Sequence, residues 1–152
     1  APRVPKLGAE RTLLLLMTKN PDFVERAGER MGSEDFVDPA HRAIFEALLD
    51  DPELRAPPVS MDPVAAQRLE EVLADPEELA HAGRVFDESV ARMRVGALDR
   101  RSQDLDQRIE VASGDDEKRT LIEEKARVSQ ERRDLAPDDW TTTARRLRGD
   151  KI

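Results

Sequence analysis

Ala9-Glu10-Arg11-Thr12-Leu13-Leu14-Leu15-Leu16-Met17-Thr18-Lys19-Asn20-Pro21 holds the densest apolar run of the chain, closed by a helix-start signal. At 100° per residue, the consecutive apolar side chains of Leu13 to Met17 face all sides of a helix, as expected of a helix wedged at the centre of a small bundle. The run is far short of the roughly 20 apolar residues that span a bilayer. Asn20-Pro21 then starts the next helix: the Asx side chain accepts from orphan N–H groups of the first turn, and proline needs no hydrogen bond there. The same pair recurs at Asp38-Pro39, Asp62-Pro63 and Asp75-Pro76. Read as helix starts, these four divide the first part into helices near 9–18, 21–31, 39–50 and 63–74 and one beginning at 76, with a proline-bearing loop over 51–61. Core candidates around the first helix are Phe23, Met31, Phe36, Ile44, Phe45, Leu48, Leu49, Leu69, Val72, Leu73 and Phe86.

Beyond Pro76 no proline intervenes before Ala112, which predicts one long helix over that span. Its apolar pattern changes partway. Leu79, Gly83, Phe86, Val90, Met93 and Ala97 form one stripe, and Val95, Leu98, Ser102, Leu105, Ile109 and Ala112 form another, rotated by roughly 100–140°. Two faces imply two packing partners: the first stripe closes the bundle, and the second meets a helix returning after Ser113-Gly114. Gly96 at the changeover reads as a tolerated helix glycine or as a hinge. The returning helix, 115–135, carries Leu121, Ile122, Val128 and Leu135 on one side, so an antiparallel hairpin sets Ile109 near Leu121 and Val95 near Leu135. Lys125 and Arg132 stand on that stripe where a coiled coil prefers Leu, leaving a thin seam and apolar edges for another partner. A short last helix follows Pro137, with Trp140, Ala144 and Leu147 on one face. The expected architecture is all-α: a globular bundle over 1–97, then a projecting helical hairpin and short helix over 98–152.

Composition supports that class. In 152 residues only 3% are aromatic, with no Tyr, while Ala, Leu, Glu and Arg are plentiful; this disfavours sheets and favours solvated helices. The net charge of −8 repels phosphate backbones, so direct nucleic-acid binding is not expected. By segment the charge is −7 over 1–97, −2 over 98–135 and +1 over 136–152, where Arg145, Arg146, Arg148 and Lys151 gather. The chain has no cysteine, which excludes disulfides, thiolate zinc sites and cysteine nucleophiles and is compatible with a reducing cytoplasm. The opening Ala1 suggests a fragment of something longer.

No phosphate-binding Gly loop, H-E-x-x-H or G-x-S-x-G occurs, so no catalytic residue, metal or cofactor is expected. His41 and His81 are far apart in sequence, each just after a predicted helix start, and read as surface or capping histidines. The neighbours Glu70/Glu71, Glu77/Glu78 and Asp115/Asp116 diverge by about 100° on a helix and read as solvated faces. Asp104-Leu105-Asp106 mimics a D-x-D metal motif but falls within the predicted long helix. The basic end, beside Trp140 and Leu147, has the make-up to meet an acidic partner.

The run from Ala9 to Leu16, then Asn20-Pro21, then Ser33-Glu34-Asp35-Phe36-Val37-Asp38-Pro39-Ala40-His41-Arg42-Ala43-Ile44-Phe45, resembles the helical domain shared by the C-terminus of bacterial DNA primase and the N-terminus of the replicative helicase. The hairpin Arg94 to Leu135 is similar to the helicase-binding hairpin of primase. The resemblance implies a bacterial, cytoplasmic adaptor, monomeric alone, that docks on the replicative helicase hexamer and couples primer synthesis to unwinding. For some relatives it also implies binding the acidic tail of single-stranded-DNA-binding protein. The primase zinc-binding and polymerase domains would then lie in the rest of a full-length DNA-directed RNA polymerase. Ile122, Val128, Leu135, Trp140 and Leu147 are expected as apolar anchors on the helicase, with Arg145 and Arg146 as orienting charges. Two alternatives share the pattern: the helicase N-terminal domain itself, or a generic helical adaptor.

Overall fold

A computed structural model describes residues 8–135. Six helices follow in order: α1 (Gly8–Lys19), α2 (Pro21–Arg30), α3 (Pro39–Asp50), α4 (Pro63–Ala74), α5 (Ala82–Val111) and α6 (Asp115–Leu135). Among the described residues there is no strand. The chain divides into two compact units, Ala1–Met93 and Arg94–Ile152, with the division inside α5.

The first unit is built around α1. Leu13, Leu14 and Met17 are completely buried and Leu15 and Leu16 nearly so, as a centrally placed helix requires. Three of the Asx-Pro starts behave as the sequence predicts: Asn20, Asp38 and Asp62 each accept from a first-turn N–H of α2, α3 and α4. Phe36 packs on Phe45 with ring centroids 4.9 Å apart, and Phe23 stacks on Phe86 at 4.7 Å, which ties α5 to α2. Phe86, Val90 and Met93 join this core. Leu49 departs from expectation: it is 42% exposed on the outer face of α3.

The fourth start fails. Residues 75–81 form no regular helix, and α5 begins only at Ala82. Asp75 is instead held by long-range partners: its carbonyl accepts Lys19 Nζ at 2.8 Å. Its carboxylate accepts Arg11 Nη2 at 2.9 Å and the N–H of Glu77 at 2.9 Å. Those two hydrogen bonds, the backbone one foremost, hold the Asp75 carboxyl below the usual carboxylate range. Asp75 therefore fastens the end of α4 to α1, and His81, with φ of 57°, turns the chain through the left-handed region before α5.

In the second unit, residues 94–111 of α5 and all of α6 run antiparallel, joined at 112–114. Their pairing is visible in ion pairs that link Arg94 to Glu131 and Arg101 to Glu124. Gly96 lies inside α5, which continues through it. The predicted short helix after Pro137 lies outside the described residues.

Candidate functional site

Two constellations stand out, one in each unit. In the first, Glu10 of α1 and His41 of α3 are buried, 4% and 2% exposed. A carboxylate on the core face of α1 requires partners, and it has three. Its Oε2 accepts the Val37 N–H at 2.7 Å, its Oε1 accepts the Asp38 N–H at 3.4 Å, and Oε1 lies 2.8 Å from His41 Nδ1. On the other side of the ring, Arg68 Nη1 of α4 lies 3.0 Å from His41 Nε2 and 2.8 Å from Asp38 Oδ2. Arginine only donates, so Nε2 accepts and Nδ1 carries the proton that is shared with Glu10. Burial alone would raise the Asp38 carboxyl, but the hydrogen bonds from Arg68 and the Ala40 N–H outweigh it and hold the group below its ordinary value. The chain Glu10–His41–Arg68–Asp38 thus joins α1, α3 and α4 and fixes the turn at 37–38. It is a satisfied structural network. The sequence reading of His41 as a surface or capping histidine is corrected here: it stands in the first turn of α3 but points inward. His81 is exposed. Among the described residues no cluster of His, Asp or Glu has the arrangement of a metal site.

The second constellation is the helix pair. Val95, Leu98 and Leu105 of its first helix and Ala112 of the connection are buried, whereas α6 buries no residue fully. Leu121, Val128 and Leu135 recur every seven residues and are half-buried. Between them, the two cations that interrupt the stripe find partners on the other helix: Lys125 pairs with Asp106, and Arg132 with Asp99 at 2.5 Å. Arg101 Nη2 donates to Glu124 at 2.7 Å; that hydrogen bond chiefly lowers the Glu124 carboxyl and holds the Arg101 guanidinium still more firmly protonated. Asp104 pairs with Arg101 and Arg108, so the D-x-D look-alike is occupied with ion pairs on a helix. Of the expected anchors, Ile122 is 55% exposed while Val128 and Leu135 are half-buried. Trp140, Arg145, Arg146 and Leu147 lie outside the described residues. Val111, 81% exposed, is an apolar residue near the hairpin turn that the sequence reading did not select.

A family model described as the DnaB-like helicase N terminal domain matches residues 4–87. The chain belongs to the DnaB-like helicase N-terminal domain family. Neither the curated proteins nor the solved structures returned a match. The matched residues take in α1 to α4 and enter α5 as far as Asp87, so they include Phe86, whose ring closes on Phe23. The buried Glu10–His41–Arg68 network falls wholly inside the DnaB-like part, as do both halves of the sequence pattern that carried the resemblance. The family places the chain among helicase-associated interaction domains of DNA replication. No helix among the described residues is long and apolar enough to cross a membrane.

Proposed function

We propose that this chain is the helicase-interaction domain of a bacterial DNA primase, working in the cytoplasm as an adaptor with no catalytic role of its own. The observation that carries the reading is the order of parts: a DnaB-like domain over residues 4–87, followed directly by an antiparallel helix pair with an exposed isoleucine. In this reading residues 1–97 form the globular part and 98–152 the docking part. Ile122, Val128, Leu135, Trp140 and Leu147 supply apolar contacts to the helicase, and Arg145 and Arg146 orient it. The rest of the full-length protein holds the primase polymerase. Tethering then raises the local concentration of that polymerase near unwound DNA without new contacts to DNA, in keeping with a net charge of −8. Single-stranded-DNA-binding protein is a further partner in this reading.

The second reading, the N-terminal domain of the replicative helicase itself, draws support from the family match. Light scattering coupled to size exclusion separates the two, run on the chain alone and then with the replicative helicase of its own organism. A monomer that joins the helicase hexamer is the expected result, and replacing Leu135 and Trp140 by Ala should then weaken the complex by about 2 kcal/mol or more while preserving helicity. Self-assembly into trimers or hexamers would put the helicase reading first. A monomer that ignores the helicase would refute the adaptor.

A further inference from the structure

The outer face of α3 carries two open hollows that the network around Glu10 does not use. One, of ≈ 490 Å³, lies between α2 and the loop after α3, with Val24, Leu49 and Pro52 among its walls. The other, of ≈ 560 Å³, lies between α3 and the loop 51–62, floored by Ala43, Ala47, Leu54, Pro58 and Met61. They share Asp51 and flank the last two turns of α3. Gly28 contributes to the first: a Cβ there would stand 3.0 Å from Leu49 Cδ2, so glycine leaves room for the leucine to lie against α2. Leu49, 42% exposed, is thus an apolar side chain presented at the edge of an apolar trough.

The charge around this trough has one sign. Asp22, Glu25, Asp51 and Glu53 line the first hollow, Glu46, Asp50 and Asp62 the second, and neither is lined by a Lys, Arg or His. Asp62 caps α4 and Asp51 accepts the Glu53 N–H, so both have local backbone partners. Among the described residues none of the seven carboxylates pairs with a cation, although elsewhere in the same unit Arg11, Arg30 and Arg68 each pair with an aspartate. Uncompensated like charge destabilises a fold slightly and favours whatever neutralises it.

We propose that this trough is a docking surface for a basic amphipathic helix of a protein partner, whose apolar side chains enter the two hollows, one of them walled by Leu49, and whose Arg or Lys side chains meet the carboxylate rim. Helix-in-groove recognition needs an apolar floor, here in two parts that meet at Asp51, and a charged border that sets orientation and encounter rate. An acidic ligand is repelled by the same rim. The surface belongs to the first unit alone, so the inference is independent of whether the helix pair binds a helicase.

The test uses the full chain and a fluorescent synthetic peptide of Leu and Arg at helical spacing, followed by anisotropy at constant ionic strength. Binding in the micromolar range is expected, weakened by about tenfold in the Glu46→Lys, Asp50→Lys double variant and about fivefold in Leu49→Ser. The reversal Glu70→Lys, Glu71→Lys, on exposed positions of α4 away from the trough, should change it by less than about twofold. Circular dichroism checks that each variant keeps its helicity. No binding at millimolar peptide would overturn the proposal. So would equal loss in the α4 variant, or equal affinity for an Arg peptide without Leu, because charge alone would then account for the effect.

Discussion

The residues up to Met93 and those from Arg94 onward are both helical, yet different interactions hold them. The first unit buries Leu13, Leu14, Met17, Phe36, Ile44, Phe45, Leu48, Leu69 and Phe86 completely, and places inside that core a polar network whose members come from different helices and the turn at 37–38. The second buries three side chains of one helix and none of the other, and links its helices through ion pairs whose members are mostly a quarter to a half exposed. Exposed pairs contribute about 0–1 kcal/mol each and fade with salt, whereas a buried aromatic contributes several. The first unit is thus held by buried apolar packing, and the second by contacts that solvent and salt can reach.

The largest effect should come from cutting the first core. Phe45→Ala removes a fully buried ring packed on Phe36 and is expected to cost about 3–5 kcal/mol, read as a fall in the urea midpoint at unchanged slope. A loss below about 1 kcal/mol would mean that the contrast between the units is overdrawn. Next is the polar network. Glu10→Ala strips the acceptor from the Val37 N–H and from His41 at once and should cost on the order of 3 kcal/mol, with Glu10→Gln, which keeps one carbonyl oxygen, losing less. Equal losses for the two would show that the carboxylate charge is what matters, and equal stability to the native chain would remove the network from the fold's support.

The helix pair should respond in the opposite direction. Lys125→Leu with Arg132→Leu fills the heptad stripe of Leu121, Val128 and Leu135 and forfeits two exposed ion pairs. The exchange is expected to stabilise by about 1–2 kcal/mol. Its thermal transition should also become less sensitive to about 1 M salt than that of the native chain. A destabilised double variant would show that the paired cations contribute more than apolar contact at those positions.

How much of this was legible depended on whether the deciding interaction was local. Asn20, Asp38 and Asp62 cap helices by bonds to residues two or three places on, so sequence shows them. Asp75 has the same neighbours and makes the same local bond to Glu77, but it also binds Lys19 and Arg11, 56 and 64 residues away, and no local pattern reveals that. The end of the long helix and the whole of α6 were predictable from their glycine and serine stop and their heptads; its start was not. His41 failed for the same reason as Asp75. Its partners Glu10 and Arg68 come from other helices, and the available signal was Glu10 itself, a carboxylate on the same helical face as Leu13, Leu14 and Met17. In the helix pair, periodicity located the stripe that carries Val128 and Leu135 but did not separate half-buried seam positions from Ile122, one residue away and open to solvent. Adjacent helix positions differ by about 100°, so a broad stripe read from sequence spans both.

The smallest expected effect tests whether the network at the edge of the first core is electrostatic. Asp38 has its carboxyl held below the ordinary value of 3.8, despite burial, by Arg68 and the Ala40 N–H. A depressed pKa contributes stability that is fully present above the unfolded value and is lost as pH falls through the folded one. From pH 7 down to about 4 the contribution should therefore be constant, and below that it should drain away as protonation removes the Arg68 pairing. Asp38→Asn keeps an oxygen to cap α3 but loses the charge, so it should cost about 1 kcal/mol at neutral pH. The stability difference between the two proteins should then shrink as pH falls below about 4. Equal stability of the two proteins at neutral pH would instead assign the role of Asp38 to its cap hydrogen bond, which Asn keeps, and leave Arg68 held by His41.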